Sequence, residues 1–305
     1  MEPIIQVERL TKKFGTFHAL DGLNLTVDPG SIHGFLGPNG SGKTTTIRVL
    51  LGLIRPTSGT VRVFGADPAT QSMTIHKRTA YVPGDVALWP TLTGGETLDI
   101  LARTHGTINN PLRNELIEAF QLDPRKKVSS YSKGNRQKVA LIAALATKPE
   151  LLILDEPTTG LDPLMYAEFA HRVTQAASAG TTVLLSSHIL SEVEHLCDTT
   201  TIIRDGRTVQ SGPLNELRAL AHNRVTARTS AQPTNLETLN GLTNITITHN
   251  DTTYTTTFDA ETDALPTAIS YLSSATLVDL TCAPPTLEDL FLRYYKDTTS
   301  DGGAR

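Results

Sequence analysis

The run Gly37-Pro38-Asn39-Gly40-Ser41-Gly42-Lys43-Thr44 satisfies the pattern G-x-x-x-x-G-K-[ST] in full. Glycines at these places let successive backbone N–H groups curl around a phosphate with no side chain in the way. A helix opening at Thr45 adds its positive end to the same cradle. In that chemistry Lys43 neutralises the terminal phosphates of a nucleotide and the Thr44 hydroxyl ligates magnesium. The apolar run Ser31–Leu36 before the loop and the helix-like Thr45–Leu53 after it supply the strand–loop–helix context the pattern requires.

A second apolar run, Leu151–Leu154, delivers two adjacent carboxylates, Asp155 and Glu156, to its end. Alone, such an ending reads as a turn. Coupled to a phosphate loop, it reads as a magnesium ligand, Asp155, followed by a base, Glu156, that primes the attacking water. A third run, Thr182–Ser186, ends at Ser187-His188, where a neutral imidazole can bond a terminal phosphate and sense its loss. Ser132, in Tyr131-Ser132-Lys133-Gly134-Asn135-Arg136-Gln137, is a good N-cap for the amphipathic run Lys138–Thr147 and offers an anion a hydroxyl and free N–H groups.

Three chemically loaded strand ends imply a parallel sheet, because ligands of open α/β sheets bind beyond the carboxyl ends of the strands. The first 222 residues alternate short apolar runs with helix-like stretches, as α/β requires. After that the composition shifts towards threonine, and the order becomes strand 224–229, helix 234–241, strand 244–249, strand 252–258, helix 262–273, strand 276–282. Asn250-Asp251 reads as the hairpin turn, and β-α-β-β-α-β is the order of a ferredoxin-like α+β unit over 223–296. A last helix, Thr286–Tyr295 with Thr286 as N-cap, and a disordered tail, 297–305, complete the expectation.

Composition narrows the partners. With 27 Lys+Arg against 31 Asp+Glu the net charge is −4, which speaks against nucleic acid. The two cysteines, Cys197 and Cys282, have no metal-site spacing, so no disulfide partner is expected and a reducing cytoplasm fits. Met1–Arg9 lacks the pattern of a signal peptide, and no segment approaches the ~20 apolar residues of a membrane span. Any service to a membrane is from its side.

Taken together, the phosphate loop, the Ser132 helix start, Asp155-Glu156, Thr159-Gly160-Leu161-Asp162 and His188 resemble, in order, the ATP-binding cassette (ABC) ATPases. The resemblance covers about residues 4–215. It implies a P-loop NTPase domain, a RecA-like core over 1–222 with a helical subdomain at about 85–147. It also implies ATP and Mg2+ as ligands and a second nucleotide-binding chain, most simply an identical copy. Ser132 and Gly134 of one chain would then act on ATP held by the other, with Asp162 in the loop crossing between them. Phe14 matches the aromatic that stacks on adenine. The residues after 222 and the ending Pro285–Leu292 resemble drug- and antibiotic-exporter ATPases of the daunorubicin-resistance type. That implies a separate transmembrane permease, with this chain at the cytoplasmic face of the membrane.

Two departures stand out. Where the family usually has Gln after Pro83, this chain has Gly84, and the expectation is that water held by Asp85 replaces the missing amide. Where the family has Gly-Gly-Gln, the chain reads Lys133-Gly134-Asn135. The stretch Val86–Thr104, with Trp89 and Pro90, falls where the family's membrane-facing helices begin, and an exposed Trp there suits docking. Two other readings, a soluble ABC ATPase acting on ribosomes or DNA and a nucleotide sensor without turnover, are disfavoured. The chain is acidic with a single phosphate loop, and Lys43, Asp155, Glu156 and His188 are all present.

Overall fold

The computed structural model describes residues 2–105, 109–219, 223–250 and 252–283. The chain divides into two units, Met1–Pro213 and Leu214–Arg305, a break that falls ahead of the composition change at 222. The expected turn at Asn250-Asp251, the helix Thr286–Tyr295 and the tail lie wholly or partly outside the described residues.

In the first unit, β1 (Ile5–Phe14), β2 (Phe17–Val27) and β4 (Ser58–Val63) form an antiparallel sheet in the order β2-β1-β4. A second sheet has the order β5-β6-β7-β3-β8-β9, from β3 (Ile32–Leu36), β5 (Thr79–Val82), β6 (Leu151–Asp155), β7 (Thr182–Ser187), β8 (Thr199–Arg204) and β9 (Arg207–Pro213). Its strands are parallel except for β9 at one edge. Every residue of β3, β6 and β7 is buried. This is why these strands are continuous apolar runs rather than alternating ones: a parallel sheet is covered on both faces. Leu25 and Val63 of the first sheet pack with Phe35, Ile153 and Leu184 of the second and with Ile47 and Leu50 of α1 (Lys43–Leu50) in one core.

Helix α1 starts at Lys43 rather than Thr45, because the left-handed Gly42 (φ 108°) serves as its cap, and it stops at Leu50 rather than Leu53. After α2 (Pro68–His76), the segment between β5 and β6 holds α3 (Gly94–His105), α4 (Asn110–Ala119) and α5 (Lys133–Ala146). Helix α5 begins directly after Ser132, whose Oγ accepts from Asn135 N–H, so it is a turn longer at its start than the amphipathic run suggests. Trp89 lies ahead of α3 and is 47% exposed. Helices α6 (Pro163–Ser178) and α7 (Leu190–Leu196) follow the tips of β6 and β7.

In the second unit, after α8 (Leu214–Ala219), β10 (Asn223–Thr229), β11 (Leu242–Asn250), β12 (Thr253–Ala260) and β13 (Leu277–Ala283) form a wholly antiparallel sheet, order β11-β12-β10-β13. That order is the one a β-α-β-β-α-β unit takes when each crossover skips a strand. Its core joins Val225, Ala227, Phe258 and Ala260 to Ala268 and Leu272 of α9 (Leu265–Ser274). The expected helix 234–241 does not form. Asn235 (φ 62°) and Gly241 (φ 81°) both take left-handed conformations, and between them only the 3-10 turn Leu236–Thr238 fits.

Candidate functional site

The tips of β3, β6 and β7 lie side by side, since β7 pairs with both β3 and β6. From the first tip the chain enters the loop 37–42. A Cβ on Gly37 would fall 2.5 Å from the Ile203 carbonyl and 2.6 Å from Ser41 Oγ, and one on Gly42 would fall 2.6 Å from Leu20 Cδ2. At Gly37 and Gly42 the loop is therefore tight against β8 and β2, with room for hydrogen atoms alone. Gly40 (φ 82°) and Gly42 take the left-handed turn that brings the chain into α1.

Lys43 is buried, and a buried ammonium must be partnered. Its Nζ donates to the carbonyls of Gly37 (2.7 Å) and Pro38 (3.2 Å) and stands 3.4 Å from Glu156 Oε1. Thr44 Oγ1 donates to Asp155 Oδ2 at 2.9 Å. Ser186 Oγ donates to Asp155 Oδ1 at 2.6 Å, so each oxygen of this buried carboxylate is oriented. Glu156 faces His188, with Oε1 3.4 Å from Nδ1. Burial, with Asp155 adding its negative charge, pushes the Tyr81 hydroxyl up to about 12, so it stays protonated beside the cluster.

Five residues read from three separate segments, Lys43, Thr44, Asp155, Glu156 and His188, are thus one group. The arrangement suits an anionic phosphate with a hard cation. The Thr44 hydroxyl and the Asp155 carboxylate form an oxygen pair of the kind magnesium uses while keeping several waters. The buried Ser41 Oγ has no hydrogen-bond partner among the described residues, an orphan donor in the middle of the cradle. Backbone N–H groups from Gly37 through Thr45, Pro38 excepted, complete the loop, with Asn39 and Gly40 at its exposed crest.

Other expected site residues have their contacts elsewhere. Gly134 is buried, and a Cβ there would fall 2.3 Å from the Gly160 carbonyl, so the start of α5 is pressed against the loop that follows Glu156. Ser132 is exposed beside it. The Asp162 carboxylate is engaged within its own chain, accepting from Met165 N–H at 2.9 Å as the N-cap of α6. Phe14 is 51% exposed at the end of the β1–β2 hairpin, with Lys12 Nζ 4.9 Å from its ring centroid, so it is no core residue. Phe17, its partner across the hairpin, is 64% exposed.

Sequence reasoning missed that Ser41 is an orphan and that Ser186 orients Asp155. The signal for Ser186 was available: a serine directly after the apolar run Val183–Leu185, one residue short of the strand's end, calls for a polar partner.

The model of the ABC transporter family matches residues 20–159. The daunorubicin resistance ATP-binding protein DrrA3 of Streptomyces coeruleorubidus is 41% identical over 220 residues, 70% of each chain. The bacitracin transport ATP-binding protein BcrA of Bacillus licheniformis is 40% identical over 221 residues, 72% of each chain. Among solved structures, an ATP binding subunit of an ABC transporter superposes with a TM-score of 0.66 at 31% identity, over 71% of this chain and 92% of its own. The ATP-binding cassette MJ0796, seen as a post-hydrolysis dimer bound to ADP and Pi, shares the fold with a TM-score of 0.61 at 24% identity, over 69% of this chain and 98% of its own. Likenesses of this extent, over a site built in this way, make the chain a member of the ABC transporter family and one of its ATP-hydrolysing subunits.

Proposed function

We propose that the chain powers export of a drug- or antibiotic-type molecule, working as a pair of identical copies on a separate transmembrane permease at the cytoplasmic face of the membrane. The export reading rests on the relatives named for daunorubicin resistance and bacitracin transport. No helix among the described residues is long and apolar enough to cross a membrane, which is consistent with a pathway on another chain. The exposed Trp89 supports docking through the segment ahead of α3.

The observation that carries the hydrolytic reading is the meeting of Lys43, Asp155 and Glu156 at the tips of β3 and β6, which flank β7. Residues Gly37–Thr45 bind the phosphates, and Lys43 exchanges its carbonyl partners for phosphate oxygens. Thr44 and Asp155 would hold Mg2+, which when bound would supply positive charge against that of the phosphates. Glu156 takes the proton of the attacking water, and His188 orients towards the terminal phosphate across the shared Glu156 contact. Phe14 offers its exposed face to adenine. Ser132 and Gly134 of the second copy cap the same nucleotide, and Asp162 lies at the seam. ATP then joins the two copies and hydrolysis releases them, an order–disorder switch in the contacts to the terminal phosphate.

Steady-state ATPase measurement tests this. The full chain should hydrolyse MgATP, and Glu156→Gln should lower turnover by about 10²–10⁴-fold while nucleotide still binds. Nucleotide binding without any Glu156-dependent turnover would instead support the sensor reading. The export claim fails if cells expressing the chain with its membrane subunit accumulate drug as fast as cells carrying Glu156→Gln.

A further inference from the structure

Strand β5 runs parallel to β6 with Val82 opposite Leu154, so the chain leaving β5 crosses the tip of β6 at Pro83-Gly84. A Cβ on Gly84 would lie 2.9 Å from the Asp155 carbonyl oxygen and 3.5 Å from Glu156 Cβ. Gly84 is not among the positive-φ glycines, so its backbone conformation does not demand glycine. Space does.

On the opposite side of the same peptide, Glu156 N–H donates to the Ser186 carbonyl at 3.0 Å. Between these two supports Glu156 stands at φ 50°, a conformation that costs a non-glycine residue on the order of 1–2 kcal/mol. Strain of this kind persists only where the surroundings over-determine it. Here β7 holds the peptide by a hydrogen bond, and the loop after β5 backs it by contact. Asp85, by contrast, is exposed.

We infer that Gly84 is a positioning residue for Glu156: its missing side chain lets the loop after β5 lie against the Asp155–Glu156 peptide and keep the Glu156 carboxylate on Lys43 and His188. This rests on Glu156 acting as the base. A side chain at 84 displaces the Asp155 carbonyl, and misplacement of a reacting group by about 1 Å costs on the order of 10²-fold in rate.

The experiment uses the full chain and Gly84→Ala, alone and in a Glu156→Gln background. Turnover, fluorescent ATP-analogue affinity, and amide hydrogen exchange of the peptide around Glu156 without nucleotide are measured together. Turnover is expected to fall about 10- to 100-fold with Gly84→Ala at unchanged nucleotide affinity. In the Glu156→Gln background the same change should add no further loss, as for residues that act as one unit. The Glu156 amide should exchange faster, and Gly84→Gln should be no more active than Gly84→Ala. Unchanged turnover and exchange, an additive loss, or a Gly84→Ala chain that no longer binds nucleotide would each overturn the inference. If the unmodified chain shows no Glu156-dependent turnover, the proposed function fails on its own, and the exchange measurement still decides the role of Gly84.

Discussion

The two units of the chain are both sheets with helices, yet among the described residues only the first gathers reactive side chains. Its sheet is parallel, so each strand starts again at the same end and every crossover delivers a new loop to the same edge. Residues as far apart in sequence as Lys43, Asp155 and His188 meet there because Leu36, Asp155 and Ser187 end adjacent strands. The second unit is antiparallel throughout, and its strand tips alternate between two edges. It builds a core around Phe258 and Leu272 and leaves its other face lined with threonine, in register from Thr246 through Thr257 and Thr226 to Thr281. The lesson is that convergence comes from strand direction, not from having a sheet.

That contrast can be broken first at the core of the second unit. Phe258 is fully buried, and Phe258→Ala should cost about 3–5 kcal/mol of that unit's stability while MgATP affinity stays at its original value. Urea unfolding beside nucleotide titration checks this, and affinity falling in step with stability would refute the separation of the two units.

A smaller effect probes the buried centre of the parallel sheet. His33 bridges Thr199 and Thr201 through its two ring nitrogens, and burial pulls its pKa down to about 4. Between about 6.5 and about 4 the unfolded chain takes up a proton that the folded chain refuses. Stability is therefore lost as pH falls through that window, by about 3 kcal/mol in full, and levels off below it. Glu96 and Glu150, held low by their hydrogen bonds to Thr93 and Arg78, begin to lose their contribution as pH falls into the ordinary carboxylate range and finish losing it below that range. Urea midpoints measured from pH 7 to pH 4 should show a slope that His33→Gln largely removes. An unchanged slope would point to other groups.

The smallest expected effect concerns Asp162. Loss of its cap on α6 in Asp162→Ala should cost about 1 kcal/mol, whereas Asp162→Asn should be nearly neutral. Equal losses in the two variants, read from thermal melts, would mean that the carboxylate's charge and not its capping oxygen matters to the fold.

Much of this was legible in the residues. The phosphate loop, Asp155-Glu156 and the strand before His188 are each local statements: an apolar run too continuous for a half-exposed strand, then residues whose chemistry needs water or phosphate. The strands and α9 of the second unit were also readable to within a few residues from their threonine and apolar patterning. The helix at 234–241 was misread because periodicity does not register that Asn235 and Gly241 turn left-handed and leave a single turn between them.

What the chain's own order determined, then, is which side chains can do chemistry and which segments are strands, since both follow from residue type and short-range spacing. Only the tertiary structure decided that Ser186 orients Asp155, that Gly134 abuts Gly160, and that Gly84 lies against the Glu156 peptide. Those are contacts between strand tips and loops distant in sequence, governed by excluded volume and hydrogen-bond partnering, and no local pattern encodes how closely two backbones approach.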